Sequence, residues 1–448
     1  MAGRLRCVIL GAAGRDFHDF QMFFRDRAEF QVMAFTAAQI PFIESRVFPK
    51  ELAGPLYNDD IPIYSEDELP VLIGNLGIDF VFLAYSDLAH EEVMHKASLV
   101  QACGAGFALL GPHLTQLQSR LPVVTVTGVR TGVGKSPLSQ AIARDQTARG
   151  RRIAVLRHPM PYGDLRKQRV LRYASKADLE LHGCTIEERE EYTPYLEKGI
   201  AVFAGIDYRA ILAEAEKEAE VILWDGGNND YPFIRPDLSI VVLDALRPGH
   251  ETQYFPGETN LRSADVLVLN KTSSATSQAL GLIRKHAAQL NPKAKILLAD
   301  LVVSLESQSS LSGKRVVVIE DGPTLTHGGM AFGAGAVAAR AAGAEIIDPH
   351  RFAVGSIAEA YRKYSQIGPV VPALGYSDVQ RNELEETIRR TKADLVIDAS
   401  PARLDWALRI EIPVVRVRYR FEQTFGPSIF DLVEDMIQTH IRSMSEFS

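Results

Sequence analysis

Short apolar runs ending in glycine or a charged residue alternate with longer stretches whose apolar positions recur every three or four residues. The first pattern predicts buried strands and the second amphipathic helices. Strands predicted at 4–10 and 30–36 flank a Gly11-to-Gly14 turn, and others follow at 80–84 and 106–110. Strand, glycine turn, helix, strand is a Rossmann-like order, assigned to residues 1–118. A second series places a strand starting at 123 and others at 153–156, 221–224, 238–243, 266–269 and 296–300, with helices at 137–149 and 207–219. It spans residues 119–312 and closes on a serine-rich connector at 305–314. Strands at 315–320, 343–347, 369–372 and 395–398, with helices at 332–342 and 430–443, predict a smaller α/β unit at 313–448. The fold class expected is α/β: a Rossmann-like N-terminal domain, a central nucleotide-binding domain with a mostly parallel sheet, and the smaller C-terminal domain.

The strand starting at 123 runs into VVTVTGVRTGVGKS (123–136). Gly132 and Gly134 can take backbone angles closed to residues with a Cβ, so the turn can wrap its N–H groups around an anion at a helix N-terminus. Lys135 would neutralise nucleotide phosphates and Ser136 would offer Mg²⁺ a hydroxyl, with Val133 in the turn and Pro137 tolerated in the first helical turn. Val129 stands where the plain motif has its first glycine. This variant resembles the P-loop of dethiobiotin synthetase and its SIMIBI relatives. In the same sheet the strand at 221–224 ends on Asp225, the position of a carboxylate that holds Mg²⁺ directly or through water. The strand at 266–269 ends on Asn270 and Lys271, but Ser273 stands where a guanine-reading aspartate belongs. ATP is therefore favoured over GTP.

Charge gathers just past other strands. Arg157, His158, Arg166, Lys167 and Arg169 lie within one segment with Tyr162, where open α/β sheets place ligands. An anion site is weighed there against a solvated charge run. Arg247, His250 and Glu251 follow the strand at 238–243, and Thr324, Thr326 and His327 follow the strand at 315–320. Thr185 with Glu188 reads as a capping box, and Asn228 to Asp230 as turn chemistry as readily as catalysis.

The 448 residues suit two or three domains, and 46% hydrophobic with 23% charged residues is ordinary for a globular enzyme. A net charge of −7 argues against a general nucleic-acid binder. Cys7, Cys103 and Cys184 form no metal or disulfide spacing. With no long apolar run and no signal-peptide layout, the expectation is a cytoplasmic protein without a membrane partner.

Across nearly its whole length the chain resembles the cyclic 2,3-diphosphoglycerate synthetases. The resemblance is carried by GAAGRDFHDF (11–20), RTGVGKS (130–136), RHPMPYGDLRKQRV (157–170), TIEEREEY (185–192), WDGGNNDYPF (224–233), RPGHE (247–251), PGETNLR (256–262) and EDGPTLTHGGM (320–330). It implies ATP- and Mg²⁺-dependent closure of 2,3-bisphosphoglycerate into an intramolecular phosphoanhydride, with ADP and phosphate released. Lys135, Arg130, Asp225, Arg247 and His327 would be catalytic, and Asn270 and Lys271 would join the P-loop in holding the nucleotide. The basic segment, His250, Glu251, Thr324 and Thr326 would hold a small polyanionic acid. Arg130 stands where related ATPases carry a signature lysine, and the SIMIBI analogy implies a homodimer. The alternatives are a P-loop kinase or ligase on another phosphorylated or carboxylic metabolite, and a nucleotide switch of the metallochaperone kind.

Overall fold

The computed structural model describes residues 3–12, 14–38, 46–158, 164–227, 230–307, 310–326, 329–374, 377–400 and 408–446. The fold is α/β, as the hydrophobic pattern predicts. The N-terminal sheet runs Val47–Phe48, Ile61–Ser65, Phe30–Ala37, Leu5–Leu10, Phe80–Leu83, Gly106–Leu109, parallel except at its Val47–Phe48 edge. Leu5–Leu10 lies in the middle, buried on both faces from Cys7 onward, which is why it reads as an unbroken apolar run. Phe17, Phe20 and Phe24 fall at helical spacing on Arg15–Asp19 and the wider-pitched turn Phe20–Phe24. They pack with Phe35 and Phe48 into an aromatic core.

Among the described residues the second sheet has thirteen strands. Its order is Leu171–Tyr173, Ala201–Ala204, Ile153–Arg157, Val221–Asp225, Val123–Gly128, Leu238–Asp244, Val266–Asn270, Lys295–Leu305, Val414–Phe425, Leu395–Ala399, Arg315–Asp321, Glu345–Ile346, with Val371–Ala373 also paired to Arg315–Asp321. The P-loop strand Val123–Gly128 is fully buried between Val221–Asp225 and Leu238–Asp244, parallel to both.

Ile61–Ser65, Leu171–Tyr173, Ala201–Ala204 and Val414–Phe425 are strands the expected pattern lacks, and one expected strand runs longer. The run expected to stop at 300 continues to Leu305, because Val414–Phe425 receives the hydrogen bonds of its second half. Its first half pairs in parallel with Val266–Asn270 and its second half antiparallel with Val414–Phe425. Val414–Phe425 also pairs in parallel with Leu395–Ala399. Hydrogen bonding thus crosses from the central to the C-terminal unit without a break. The last helix, Ile429–Glu446, returns to the central unit. Its Ile429, Val433 and Ile437 join the core beneath the P-loop helix Lys135–Ala148, and Glu434 forms a two-pronged bridge to Arg151 at 2.5 and 2.7 Å. Among the described residues no helix is long and apolar enough to cross a membrane.

Candidate functional site

The P-loop is held from behind by three side chains. Arg247 donates to Thr131 O at 2.7 Å, Lys271 Nζ to Gly132 O at 2.8 Å, and Asn270 Nδ2 to Val133 O at 2.8 Å. Because each peptide is planar and trans, tying these carbonyls to one side turns the N–H groups of Gly132, Val133 and Gly134 to the other. The turn needs its glycines: φ is +78° at Gly132 and +99° at Gly134, and a Cβ on Gly134 would fall on the Asn270 amide. Gly134 caps the helix Lys135–Ala148, so Lys135, Ser136 and Pro137 occupy its first turn. The result is a cradle for a phosphate chain. Burial lowers the Lys135 ammonium below its ordinary pKa, and the Asp225 and Asp87 carboxylates oppose that shift.

Lys271 reaches the loop because its backbone turns left-handed, at φ +62°. Its ammonium also meets Asp244 at 2.7 Å, and Arg247 meets the same carboxylate at 2.9 Å. Burial alone would raise the Asp244 carboxyl; the two cations more than reverse this and leave it below the usual range. Asn270 and Lys271 therefore brace the P-loop itself, whatever part they take in reading a base.

Asp225, fully buried, accepts from Ser139 Oγ at 2.9 Å and Tyr195 Oη at 2.7 Å, and pairs with Arg157 at 2.5 Å. Arg157 also pairs with Glu191. Burial works against the charge of Arg157, and Asp225 and Glu191 overcome it, so its pKa rises well above the ordinary value. Glu191 and Tyr195 stand one turn apart on the helix Ile186–Leu196, whose start is the expected Thr185–Glu188 capping box.

Arg130 is buried against the N-terminal unit. Its Nε meets Asp87 at 2.7 Å, its guanidinium lies 3.6 Å from the Tyr254 ring centroid, and Nη1 is 3.3 Å from His250 Nδ1. The other Asp87 oxygen accepts from Thr131 Oγ1 at 2.8 Å. Burial, with Arg130 and Arg247 nearby, pushes the His250 pKa down to about 4. From the C-terminal unit Thr324 approaches the P-loop: a Cβ on Gly132 would sit 3.3 Å from Thr324 Oγ1. That hydroxyl donates to Asp321 at 2.5 Å.

The other expected residues lie apart. The basic segment divides: Arg157 and His158 turn inward, while Arg166, Lys167 and Arg169 are exposed. Arg166 pairs with Asp164 at 3.2 Å and Arg169 with Asp207 at 2.9 Å. Glu251 is buried as a brace, accepting from Gly249 N at 2.9 Å and meeting His286 at 2.5 Å. Thr326 Oγ1 donates to Gly322 O at 2.9 Å. His327 and Tyr162 lie outside the described residues. Sequence reasoning passed over Asp87, Ser139, Glu191, Tyr195 and Asp321. The four-residue spacing of Glu191 and Tyr195 was a usable signal; Asp87 comes from another unit and carried none.

No protein-family model matches the chain. The arginine synthetase ArcE of Thermococcus kodakarensis is 53% identical over 431 residues, which cover 96% of this chain and 96% of that protein. The chain belongs to the ArcE family. It is an enzyme. A tetraacyldisaccharide 4'-kinase of Anaeromyxobacter is 30% identical over 194 residues, 41% of this chain and 51% of that one. Among solved structures, LpxK of Aquifex aeolicus in complex with ATP overlaps 78% of this chain and 95% of its own, at 13% identity and a TM-score of 0.43.

Proposed function

We propose that this enzyme builds a guanidino group on an amino acid at the expense of ATP, the synthesis that gives its Thermococcus relative its name. The observation that carries the reading is identity of 53% across nearly all of both chains. A guanidino group forms from a ureido group when nitrogen replaces the ureido oxygen, which is a poor leaving group. Transfer of the γ-phosphoryl group breaks the terminal P–O bond of ATP and forms an O–P bond on that oxygen. Ammonia then forms the new C–N bond and loses a proton, and the C–O bond breaks with departure of phosphate. ADP, phosphate and the guanidino product balance ATP, ureido acid and ammonia.

The chain's own groups suit the phosphoryl half. The P-loop N–H groups and Lys135 would hold the β- and γ-phosphates, and Arg130, fixed by Asp87, would meet charge developing on the transferred group. Ser136 and Asp225 offer hydroxyl and carboxylate oxygens, the hard donors Mg²⁺ takes alongside nucleotide phosphates. When bound, Mg²⁺ supplies charge neutralisation at those phosphates. Ser139, Tyr195 and Arg157 fix the orientation of Asp225.

Closure of 2,3-bisphosphoglycerate would use the same nucleotide half, but its substrate brings about five negative charges. The arginines expected to meet them, Arg157, Arg166, Arg169 and Arg247, are each paired with a carboxylate. A ureido amino acid, net neutral as a zwitterion, suits such surroundings better.

The test is incubation of purified protein with ATP, Mg²⁺, ammonium and citrulline, reading arginine by mass spectrometry and ADP by a coupled assay. A parallel ³¹P NMR sample contains 2,3-bisphosphoglycerate. Arginine appearing in step with ADP is expected. Phosphoanhydride resonances without arginine would overturn the reading in favour of ring closure, and ADP from neither mixture would overturn both.

A further inference from the structure

The loops that follow Leu5–Leu10, Ile153–Arg157 and Val221–Asp225 meet at the seam between the N-terminal and central units. They bury Arg15, Asp19, His158 and Asp230, a charged cluster that the phosphoryl chemistry does not use. His158 Nε2 holds Asp230 Oδ2 at 2.6 Å. The other oxygen, Oδ1, has no hydrogen-bond partner, and the nearest Arg15 nitrogen, Nη1, is 3.9 Å away and also has none. A direct charged hydrogen bond would close to about 2.8 Å. Arg15 Nη1 and Asp230 Oδ1 thus face one another without a hydrogen bond, while Asp19 and Tyr231 meet the rest of the guanidinium and His158 the other carboxylate oxygen; buried polar atoms left so are costly unless something completes them.

The Arg15 guanidinium is held in place. It lies 4.3 Å from the Tyr231 ring centroid and 5.6 Å from that of Phe255, with Nε 3.5 Å from Asp19. Asn260 Nδ2 donates to the Asp230 carbonyl at 3.3 Å and steadies the loop. Trp224 Nε1 is another buried donor without a partner, and it lies against Gly226 in the loop that carries Asp230. The seam adjoins the P-loop, since Val221–Asp225 pairs with the P-loop strand and Gly257, two residues after Phe255, packs on Val129.

We propose that this cluster is the subsite for the α-amino-acid end of the acceptor, with Arg15 taking the α-carboxylate and Asp230 with Asp19 the α-ammonium. The assignment rests on the guanidino-forming reading. Its chemistry is a planar cationic fork and a pair of carboxylates, buried beside the phosphate cradle, matching a zwitterion whose side chain extends toward the nucleotide. Asp19 is part of the same buried cluster: burial, opposed by Arg15 and reinforced by Asp230 and Asp16, pushes its pKa up to about 7.

The experiment uses the full chain and the variants Arg15→Lys, Arg15→Gln and Asp230→Asn. Calorimetric titrations with norvaline, an α-amino acid without a ureido group, and with a non-hydrolysable ATP analogue are set beside KM for citrulline and for ATP. Norvaline is expected to bind the wild type and compete with citrulline. Each variant should weaken both by roughly tenfold or more, with ATP-analogue affinity within about twofold of wild type. The Lys variant keeps the charge and loses only the fork, so it reads geometry where the Gln variant folds poorly. Unchanged citrulline KM and norvaline affinity in the variants would overturn the subsite, as would acceptor and ATP affinities falling together. A wild type that makes no arginine would instead overturn the function, and norvaline titration of the same proteins would still decide the subsite.

Discussion

At the scale of single residues, Asp87 carries more than its place in the sequence suggests. It sits just past Phe80–Leu83 with φ +60°, and holds Arg130 with one oxygen and Thr131 with the other. Arg130 is buried, so Asp87→Asn removes the carboxylate that balances its charge, a change that costs about 3–5 kcal/mol where the pair is fully enclosed. Asp87→Asn should lower kcat/KM for ATP by roughly a hundredfold. Asp87→Asn and Arg130→Ala together should cost little more than either alone, because both break one pair. Steady-state kinetics on the three variants checks this, and additive losses would show that the residues act separately.

At the scale of elements, the P-loop turn and a helix cap in the C-terminal unit each make a demand that one atom can violate. Gly134→Ala places a methyl on the Asn270 amide at a left-handed φ, so nucleotide-analogue affinity should fall by roughly tenfold or more while the protein stays folded, as fluorescence titration with a melting curve would show. Glu320 accepts from the backbone N–H groups of Gly333, Gly335 and Ala336 and caps the helix Ala334–Ala341. Burial still outweighs those bonds and raises its pKa from 4.5 to about 7. The folded state then keeps a proton that the unfolded chain has released. The stability this contributes is fully present below pH 4.5 and is lost as pH rises through about 7. Urea unfolding at pH 5 and pH 8 should show Glu320→Gln gaining on wild type at the higher pH.

At the scale of the molecule, the sheet, continuous through thirteen strands among the described residues, makes the C-terminal residues part of the core that carries the P-loop. A chain ending at residue 412 would expose the edge of Lys295–Leu305 and the apolar bed of the last helix. Burial of Ile429, Val433 and Ile437, each 0% exposed, is worth roughly 5–9 kcal/mol in sum, comparable to the whole stability of a typical domain. That truncation should fail to give soluble, cooperatively melting protein. The N-terminal seam has its own pH signature. His18 stacks on Phe233 at 4.0 Å and donates from Nε2 to Thr115 O at 2.9 Å. Burial pushes its pKa from 6.5 down to about 3, so the unfolded chain binds the extra proton first. Stability should fall as pH drops from 6.5 toward 3, and His18→Phe should flatten that part of the unfolding-versus-pH curve.

The sequence by itself determined the apolar strands at the centre of each unit, the Rossmann-like N-terminal order and the glycine turn at 129–136, because these depend on local periodicity and on φ values that only glycine adopts cheaply; it did not mark Ile61–Ser65, Leu171–Tyr173, Ala201–Ala204 or Val414–Phe425. Asp225 was legible for the same reason, standing at the end of an apolar run. Tertiary structure decided which charges face one another. The cations gathered between 157 and 169 read as one site in sequence, yet the fold turns Arg157 and His158 inward and leaves Arg166, Lys167 and Arg169 in water. Coulomb pairing depends on distance in space, so Asp87 and Asp230 could be assigned only once their loops met. The strand running on to Leu305 has the same explanation: local propensity starts a strand, but its length is set by the partner that receives its hydrogen bonds. Val414–Phe425, more than a hundred residues later, is that partner.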